Sequence, residues 1–574
     1  MPRKLKRIGV FVCHCGLNIA GTVDVQRVVR DIASYPGVVH AENYIYMCSD
    51  PGQERVRHAI REKRLDGIVM ANCSPLLHER TFRNLAAAEG LNPFHCEIAN
   101  IREQCSWPHA NDKAMATLKA MSIIKQTIER VRLNMALTPS VVPLTRRALV
   151  IGAGVAGMQA ALDVADGGYE VLLVEKEPLI GGHALQLSGT FPTLGYPPGM
   201  VAPMIEAVTK HPNIRLYAST EVEEVIGYVG NFDVTLRGTD GPHQERVGAI
   251  IVATGYGLFP KERVPEYADD PDVVDGLQFE RILSQVRNGH EVRRPSDGRV
   301  PQDIVFVSCV GSRDPEHGVS YCSRVCCMYI AKQAVLYRQA VPQGQAYVFY
   351  MDVRSDAKGY EEFVQQAVEQ HRVMYLRGRV SRVFREGDRL KVWGADTLSG
   401  RNVVVSADMV VLATAMVPSD GAKDLARKLN IISDEHGWLT EAHIKLRPVE
   451  TLTSGIFLAG TAQWPRDLPD TVSSASGAAS KVLSLFSRSQ LLHDPTIAYV
   501  DEEVCTGCGQ CASVCAYKAI EIDARRRVAR VNAALCEGCG ACAATCPSKA
   551  MQHRNWTPSQ FFEMIDAATT EYVR

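Results

Sequence analysis

Eight cysteines near the C-terminus limit what this chain can become more than any other feature. Cys505, Cys508, Cys511 and Cys515 follow the spacing C-x-x-C-x-x-C-x-x-x-C, and Cys536, Cys539, Cys542 and Cys546 repeat it with Pro547 behind. In such a run the first three cysteines wrap three irons of one [4Fe–4S] cubane, and the fourth crosses to the other cluster. The spacing therefore predicts one cluster on Cys505, Cys508, Cys511 and Cys546, and a second on Cys536, Cys539, Cys542 and Cys515. Gly507, Gly509, Gly538 and Gly540 let backbone amides turn toward the inorganic sulfides. Ala516 stands where the motif usually has proline, which touches turn rigidity and not ligation. Structural zinc is the competing reading, but a doubled eight-cysteine run fits cubanes and not tetrahedral pairs.

The remaining cysteines, of 18 in 574 residues, fall in two bunches at 13–105 and 309–327. Disulfide scaffolds are usually short and secreted, so bunched cysteines in a long chain read as metal ligands in a reducing cytoplasm. The start, MPRKLKRIGVFVCHCG, is basic but has no apolar run of signal-peptide length. No stretch approaches the roughly 18 unbroken apolar residues of a membrane helix. Lys plus Arg (63) nearly equals Asp plus Glu (64), which argues against nucleic acid or an anionic membrane as the main partner.

The pattern divides the chain into a small N-terminal α/β iron–sulfur domain (1–140), a large α/β domain (146–486), a two-cluster domain (497–552) and a C-terminal helix (553–574). Strands are expected at 7–12 and 65–75, with helical spacing in VQRVVRDIA, in QERVRHAIREK and across 112–135. The stretches 135–145 and 487–497 read as linkers. The duplicated cysteine run is the internal repeat that the sequence displays.

RRALVIGAGVAGMQAALDVADGGYEVLLVEKEPLIGGHA reads as strand, glycine loop, helix and second strand. Gly152 makes the turn, Gly154 admits the pyrophosphate to the backbone, and Gly157 permits close helix–strand packing, with the helix N-terminus facing the phosphates. Glu175 ends the second strand, placed to accept from ribose hydroxyls, with Lys176, Gly182 and His183 beside it. The Gly181–Gly182 pair and the later Ala253–Thr254–Gly255 strand resemble the thioredoxin-reductase-like flavoproteins with two dinucleotide domains. That resemblance implies FAD as the cofactor, with NAD at this first site as the alternative. A late segment, SGIFLAGTAQWP, sits where that fold meets the flavin ribityl chain, with Gly460 at the turn and Thr461 where an aspartate is usual.

The second nucleotide position is different. DIVFVS is a good strand, but the loop after it carries Cys309, Cys322, Cys326 and Cys327 where a glycine loop should cradle phosphate. These four can converge into a non-standard [4Fe–4S] site; a redox disulfide and buried free thiols are the alternatives.

GVFVCHCGLNIAG, YMCSDPGQ, NCSPLLHERTF, GLNPFHCEIANIREQCSWPH and CVGSRD…YCSRVCCMY together resemble the A subunit of heterodisulfide reductase over nearly the whole chain. The resemblance implies an FAD-centred electron-transfer subunit, electron bifurcation in several of its complexes, and partner subunits that include an electron donor and a disulfide-reducing subunit. Ferredoxin and a homodimer within the larger complex belong to the same expectation. It implies a cluster on Cys309, Cys322, Cys326 and Cys327 near FAD, Lys332 beside the flavin N5, and Glu280 in that neighbourhood. From the residues alone Lys332 reads as an ordinary helix-surface lysine. The family carries a further N-terminal cluster, for which Cys13, Cys15, Cys48 and Cys73 are the expected ligands, bringing the total to about four. Cys105 is the reserve, Cys96 a packed thiol, and buried thiols or zinc the alternative. Longer members insert a second ferredoxin domain into the flavin fold, and residues 256–303 here contain no cysteine. Two other readings stand beside this one: a self-contained NAD(P)H-dependent oxidoreductase, and a non-enzymatic regulatory iron–sulfur protein.

Overall fold

The computed structural model describes residues 6–264, 266–267 and 269–569. It divides into two compact units, one built from residues 1–142 and 492–574 and the other from 143–491. The N-terminal domain, the cysteine-rich tail and the terminal helix, expected as separate domains, thus share one unit.

In the first unit, four parallel strands lie in the order β2–β1–β3–β4: β1 (Ile8–Cys13), β2 (Val38–Tyr44), β3 (Gly67–Asn72) and β4 (Cys96–Asn100). Every residue of β1 and β3 is buried, as a parallel sheet covered on both faces requires. The Lys113–Leu133 helix covers one face through Ala116, Ala120, Ile124, Ile128 and Val131. The terminal helix Pro558–Thr569 is held to its C-terminal end by polar contacts. Gln560 Nε2 donates to Asn134 Oδ1 (2.7 Å), Asn555 Oδ1 accepts from the Met135 amide (2.8 Å), and the Arg130 guanidinium lies 3.5 Å from the Trp556 ring centre.

The second unit contains the same plan twice. One five-stranded parallel sheet runs Ile456–Leu458, Ala249–Val252, Arg147–Ile151, Glu170–Val174, Ile214–Tyr217. The other runs Val273–Asp275, Met409–Thr414, Asp303–Val310, Gln345–Tyr350, Met374–Arg377. Each half also owns a three-stranded antiparallel sheet, 221–247 in one and 380–407 in the other. This is the two-dinucleotide-domain flavoprotein architecture, and its internal duplication is invisible as a sequence repeat. Both expected linkers contain a strand, Ser140–Pro143 and Gln490–His493, and these pair with each other. Among the described residues no helix is long and apolar enough to cross a membrane.

The Val155–Asp166 helix can press against the first sheet only because residue 157 has no side chain. A Cβ there would stand 1.7 Å from the Gly152 carbonyl oxygen. Gly157→Ala should therefore destabilise the flavin unit by about 3 kcal/mol through overpacking and empty it of FAD. Thermal melting and flavin absorbance of the purified protein test this; a variant that melts normally with full flavin would refute it.

Candidate flavin and iron–sulfur site

A cavity of about 1360 Å³ lies at the C-terminal ends of the first parallel sheet. Open α/β sheets bind their ligands at this edge. Its wall includes Gly152, Gly154, Glu175, Lys176, Gly182 and His183, and also Ala253, Thr254 and Gly255. Glu175 accepts from the Ala153 amide (2.7 Å) and the Glu177 amide (3.0 Å), so its carboxylate is fixed against the glycine loop. His183 packs edge-on against Tyr256, and burial lowers its pKa. Gly157 lies behind the wall as a packing residue, and Gly460 is also absent from it. The Gly460 amide donates to Ser474 Oγ (2.8 Å), and the neighbouring Thr461 lines the cavity instead. Three atoms of wall residues are buried without a hydrogen-bond partner: Thr254 Oγ1, Gln333 Oε1 and Arg466 Nη1. Orphan polar atoms are uncommon in folded proteins, and here they fit a large polar ligand such as FAD.

Lys332 is not a surface lysine. Its side chain is 1% exposed, and Nζ pairs with Glu280 Oε1 at 2.5 Å while donating to the Gly189 carbonyl at 3.1 Å. Glu280 is equally buried, and four donors hold it. Lys332 and Gln333 Nε2 meet Oε1, and the Ser188 amide and hydroxyl meet Oε2 at 2.8 and 2.6 Å. Burial pushes the Lys332 pKa down and the Glu280 charge opposes that shift. Both residues belong to the cavity wall. The sequence carried no sign of Ser188 or Gln333 as partners, because neither lies in a motif and their contacts span 92 and 53 residues.

The helix that supplies Lys332 begins at Cys326 and runs to Ala340. Its first turn carries Cys326 and Cys327, the Asp303–Val310 strand carries Cys309 near its end, and the loop between them carries Cys322. A thiol contact from Cys326 lowers the pKa of Cys309 and takes that of Cys327 to about 7, while charges at Cys309 and Cys327 act on Cys322. Amide donors point at these sulfurs, with Arg324 N 3.3 Å from Cys322 Sγ. Cys309 itself has φ +61°, the left-handed region that non-glycine residues rarely occupy. The glycines of this loop serve packing: a Cβ on Gly311 would meet the Phe259 ring at 2.5 Å, and one on Gly318 would meet the Gly311 carbonyl oxygen at 2.2 Å. Neither marks a phosphate cradle.

The tail cysteines lie in the other unit. Cys505, Cys508, Cys511 and Cys546 line one small pocket. Burial raises the Cys542 pKa to about 11, and the charges acting on it come from Cys536, Cys539 and Cys515. Backbone amides of Ala529, Met551 and Ala519 donate to Cys505, Cys546 and Cys515 at 3.3–3.4 Å. Such donors suit thiolate ligands. Among the described residues no three His, Cys, Asp or Glu side chains close on a single ion position.

At the N-terminal sheet, Cys13 ends β1 and Cys73 directly follows β3, with Cys15 and Cys48 in the adjoining turns. Cys15 and Cys48 act electrostatically on Cys13, and Cys15 and Cys13 on Cys73. Burial raises the Cys73 pKa to about 11, and the Arg102 cation opposes it. The Cys15 and Met47 amides donate to Cys13 Sγ at 3.3 and 3.4 Å. Cys105 and Cys96 stand apart: Cys105 Sγ donates to the Ala116 carbonyl, and Cys96 is wholly buried beside Glu97.

Residues 147–213 match the FAD binding domain family, and residues 504–550 match the 4Fe-4S dicluster domain family. An iron-sulfur A subunit of the CoB--CoM heterodisulfide reductase of Methanopyrus kandleri is 40% identical over 603 residues, covering 91% of this chain and 92% of that protein. The A subunit of the H(2):CoB-CoM heterodisulfide,ferredoxin reductase of Methanothermobacter marburgensis is 40% identical over 598 residues, with 90% and 91% covered. Among solved structures, the thioredoxin reductase of T. acidophilum aligns at 16% identity and a TM-score of 0.42, over 60% of this chain and 98% of that one, a likeness too low to define a shared fold.

Lys332→Met leaves Glu280 buried without its cation and should cost about 3–5 kcal/mol of stability. It should also lower the midpoint potential of bound flavin while leaving FAD in place, because a charge is lost and no pyrophosphate contact is touched. Lys332→Met combined with Glu280→Gln should recover most of the stability and, because the negative charge of Glu280 is removed with the cation, part of the potential. An unchanged spectroelectrochemical titration would remove Lys332 from the flavin's surroundings.

Proposed function

Because the chain belongs to the family of heterodisulfide reductase A subunits, we propose that it is the electron-transfer hub of a heterodisulfide-reductase-type complex. It is an oxidoreductase carrying FAD and [4Fe–4S] clusters. The observation that carries the proposal is the Cys326–Ala340 helix. Cys326 and Cys327 open it, while Val325, Tyr329, Lys332 and Gln333 on the same segment belong to the wall of the flavin cavity. A cluster on Cys309, Cys322, Cys326 and Cys327 therefore adjoins the flavin through a single turn of helix.

FAD, when bound, accepts electrons in pairs and releases them singly, which one-electron clusters require. The protein's part is to hold the ring, keep water from it and supply charge. The glycine loop and Glu175 take the dinucleotide. Lys332 supplies a buried cation, and Glu280, fixed by Ser188 and Gln333, keeps that cation in place. A positive charge in a low-dielectric wall favours the reduced, more negative ring. The four cysteines at the second nucleotide position give electrons a route out and occupy the site where a pyridine nucleotide would bind.

The partners in this reading are a two-electron donor protein, a second protein that reduces the disulfide and, following the name of the Methanothermobacter marburgensis relative, ferredoxin. Two acceptors of this kind call for the pair of electrons to be divided between two routes.

Two measurements on anoxically purified protein test the reading. Iron should reach about 16 atoms per chain, four cubanes of four irons each. Twelve would remove the N-terminal or the middle cluster, and eight would remove both. NADH and NADPH should neither bleach the flavin nor bind in calorimetry, since thiolates stand where a pyrophosphate needs donors. Micromolar NADH binding abolished by changes near Gly311 would return the chain to the pyridine-nucleotide reductases.

A further inference from the structure

The strand β4 ends in a single π-helical turn, Arg102–Ser106, a geometry often found at functional sites. The turn is firmly built. Asn100 Oδ1 accepts from the Glu103 amide (3.1 Å), and Ser106 Oγ donates to the Asn18 carbonyl (2.6 Å), three residues beyond Cys15. Arg102 is the product of this geometry. Its side chain is 15% exposed, its guanidinium lies 4.8 Å from the Trp107 ring centre, and Nε and Nη2 donate to Glu103 Oε1 at 3.1 and 2.7 Å. Nη1 turns the other way and donates to Cys15 Sγ at 3.3 Å.

A cationic N–H donor aimed at a sulfur is the kind of outer-shell contact that tunes a cluster. Reduction adds one electron and therefore one negative charge to the cluster and its thiolates. A nearby cation stabilises that state more than the oxidised one. Glu103 works against the cation from the far side, and its Oε2 is buried without a partner.

We propose that Arg102 sets the potential of the N-terminal cluster, its guanidinium holding the Cys15 end more reducible than the four thiolates alone would leave it, with Glu103 as the opposing charge. The proposal rests on the reading that Cys13, Cys15, Cys48 and Cys73 hold a cluster.

A redox titration of the full chain, followed by electron paramagnetic resonance, tests it. Arg102→Leu should shift the reduction equilibrium of this one cluster at least tenfold toward the oxidised form, about 59 mV for one electron. Arg102→Lys keeps the charge without the rigid fork and should recover part of the shift. Glu103→Gln should move the potential the other way, upward, with iron content unchanged. Damage to the fold would not give shifts of opposite sign. If Arg102→Leu loses the cluster, Glu103→Gln decides alone, since it leaves the N–H···S contact intact. Potentials that stay put, or that fall in both variants, overturn the proposal. Wild-type protein with no N-terminal cluster in its iron count or spectrum would instead sink the reading beneath it.

Discussion

The flavin unit depends on what happens when a lysine is taken out of water. Lys332 and Glu280 are almost wholly buried, and either one alone would carry an uncompensated charge in the interior. The pair is tolerable because every part of it is tied down. Ser188 and Gln333 satisfy the carboxylate, and the Gly189 carbonyl takes a second proton of the ammonium. Those contacts join the 188–189 loop, the Gly276–Arg287 helix and the Cys326–Ala340 helix, which belong to different parts of the chain. The same ion pair thereby fixes the wall of the cavity and sets the start of the Cys326 helix, where the sulfurs converge. Stability and electrostatics are here one arrangement.

Much of this was legible in the sequence because the chemistry is local. A glycine loop between strand and helix, or four cysteines within the 11 residues from Cys505 to Cys515, reports its own geometry. Cys505, Cys508, Cys511 and Cys546 line one small pocket. Burial is a different kind of fact. Lys332, a lone lysine in a helix, reads from the sequence as a surface residue, and the Gly276–Arg287 helix and the 188–189 loop packed against it make it interior. The duplication within the flavin unit was also hidden. Two parallel sheets of matching plan arise from segments without a shared residue pattern, while the cysteine runs repeat residue for residue because each position meets the same chemical demand. The 135–145 and 487–497 stretches looked like linkers for a related reason: a two-stranded pairing between distant segments leaves no periodic signature in either.

The two parallel sheets of the flavin unit show how one plan can serve opposite purposes. At the first, the strand Arg147–Ile151 ends in glycines and the helix behind it opens toward the cavity. At the second, the equivalent strand ends in Cys309 with a left-handed backbone, and its following helix starts on Cys326–Cys327. The helix N-terminus, with its partial positive charge, begins on cysteine sulfurs where the first plan opens toward a ligand cavity.

That substitution changes what the chain must do with electrons. A pyridine nucleotide would deliver a pair at the second position, whereas sulfur ligands there can only pass electrons one at a time. The Methanopyrus kandleri relative aligns over 603 residues, more than the 574 of this chain, so it carries residues that have no counterpart here. The cysteine-free stretch before Asp303 is closed instead by charge. Arg294, 4% exposed, sits among Asp272, Asp297, Asp388 and Asp408, and Arg385 pairs with Asp270 and Asp272. Outside the Cys309–Cys327 group, the chain's cysteines lie in the paired runs of the tail and in the N-terminal group, where Cys15 meets Arg102.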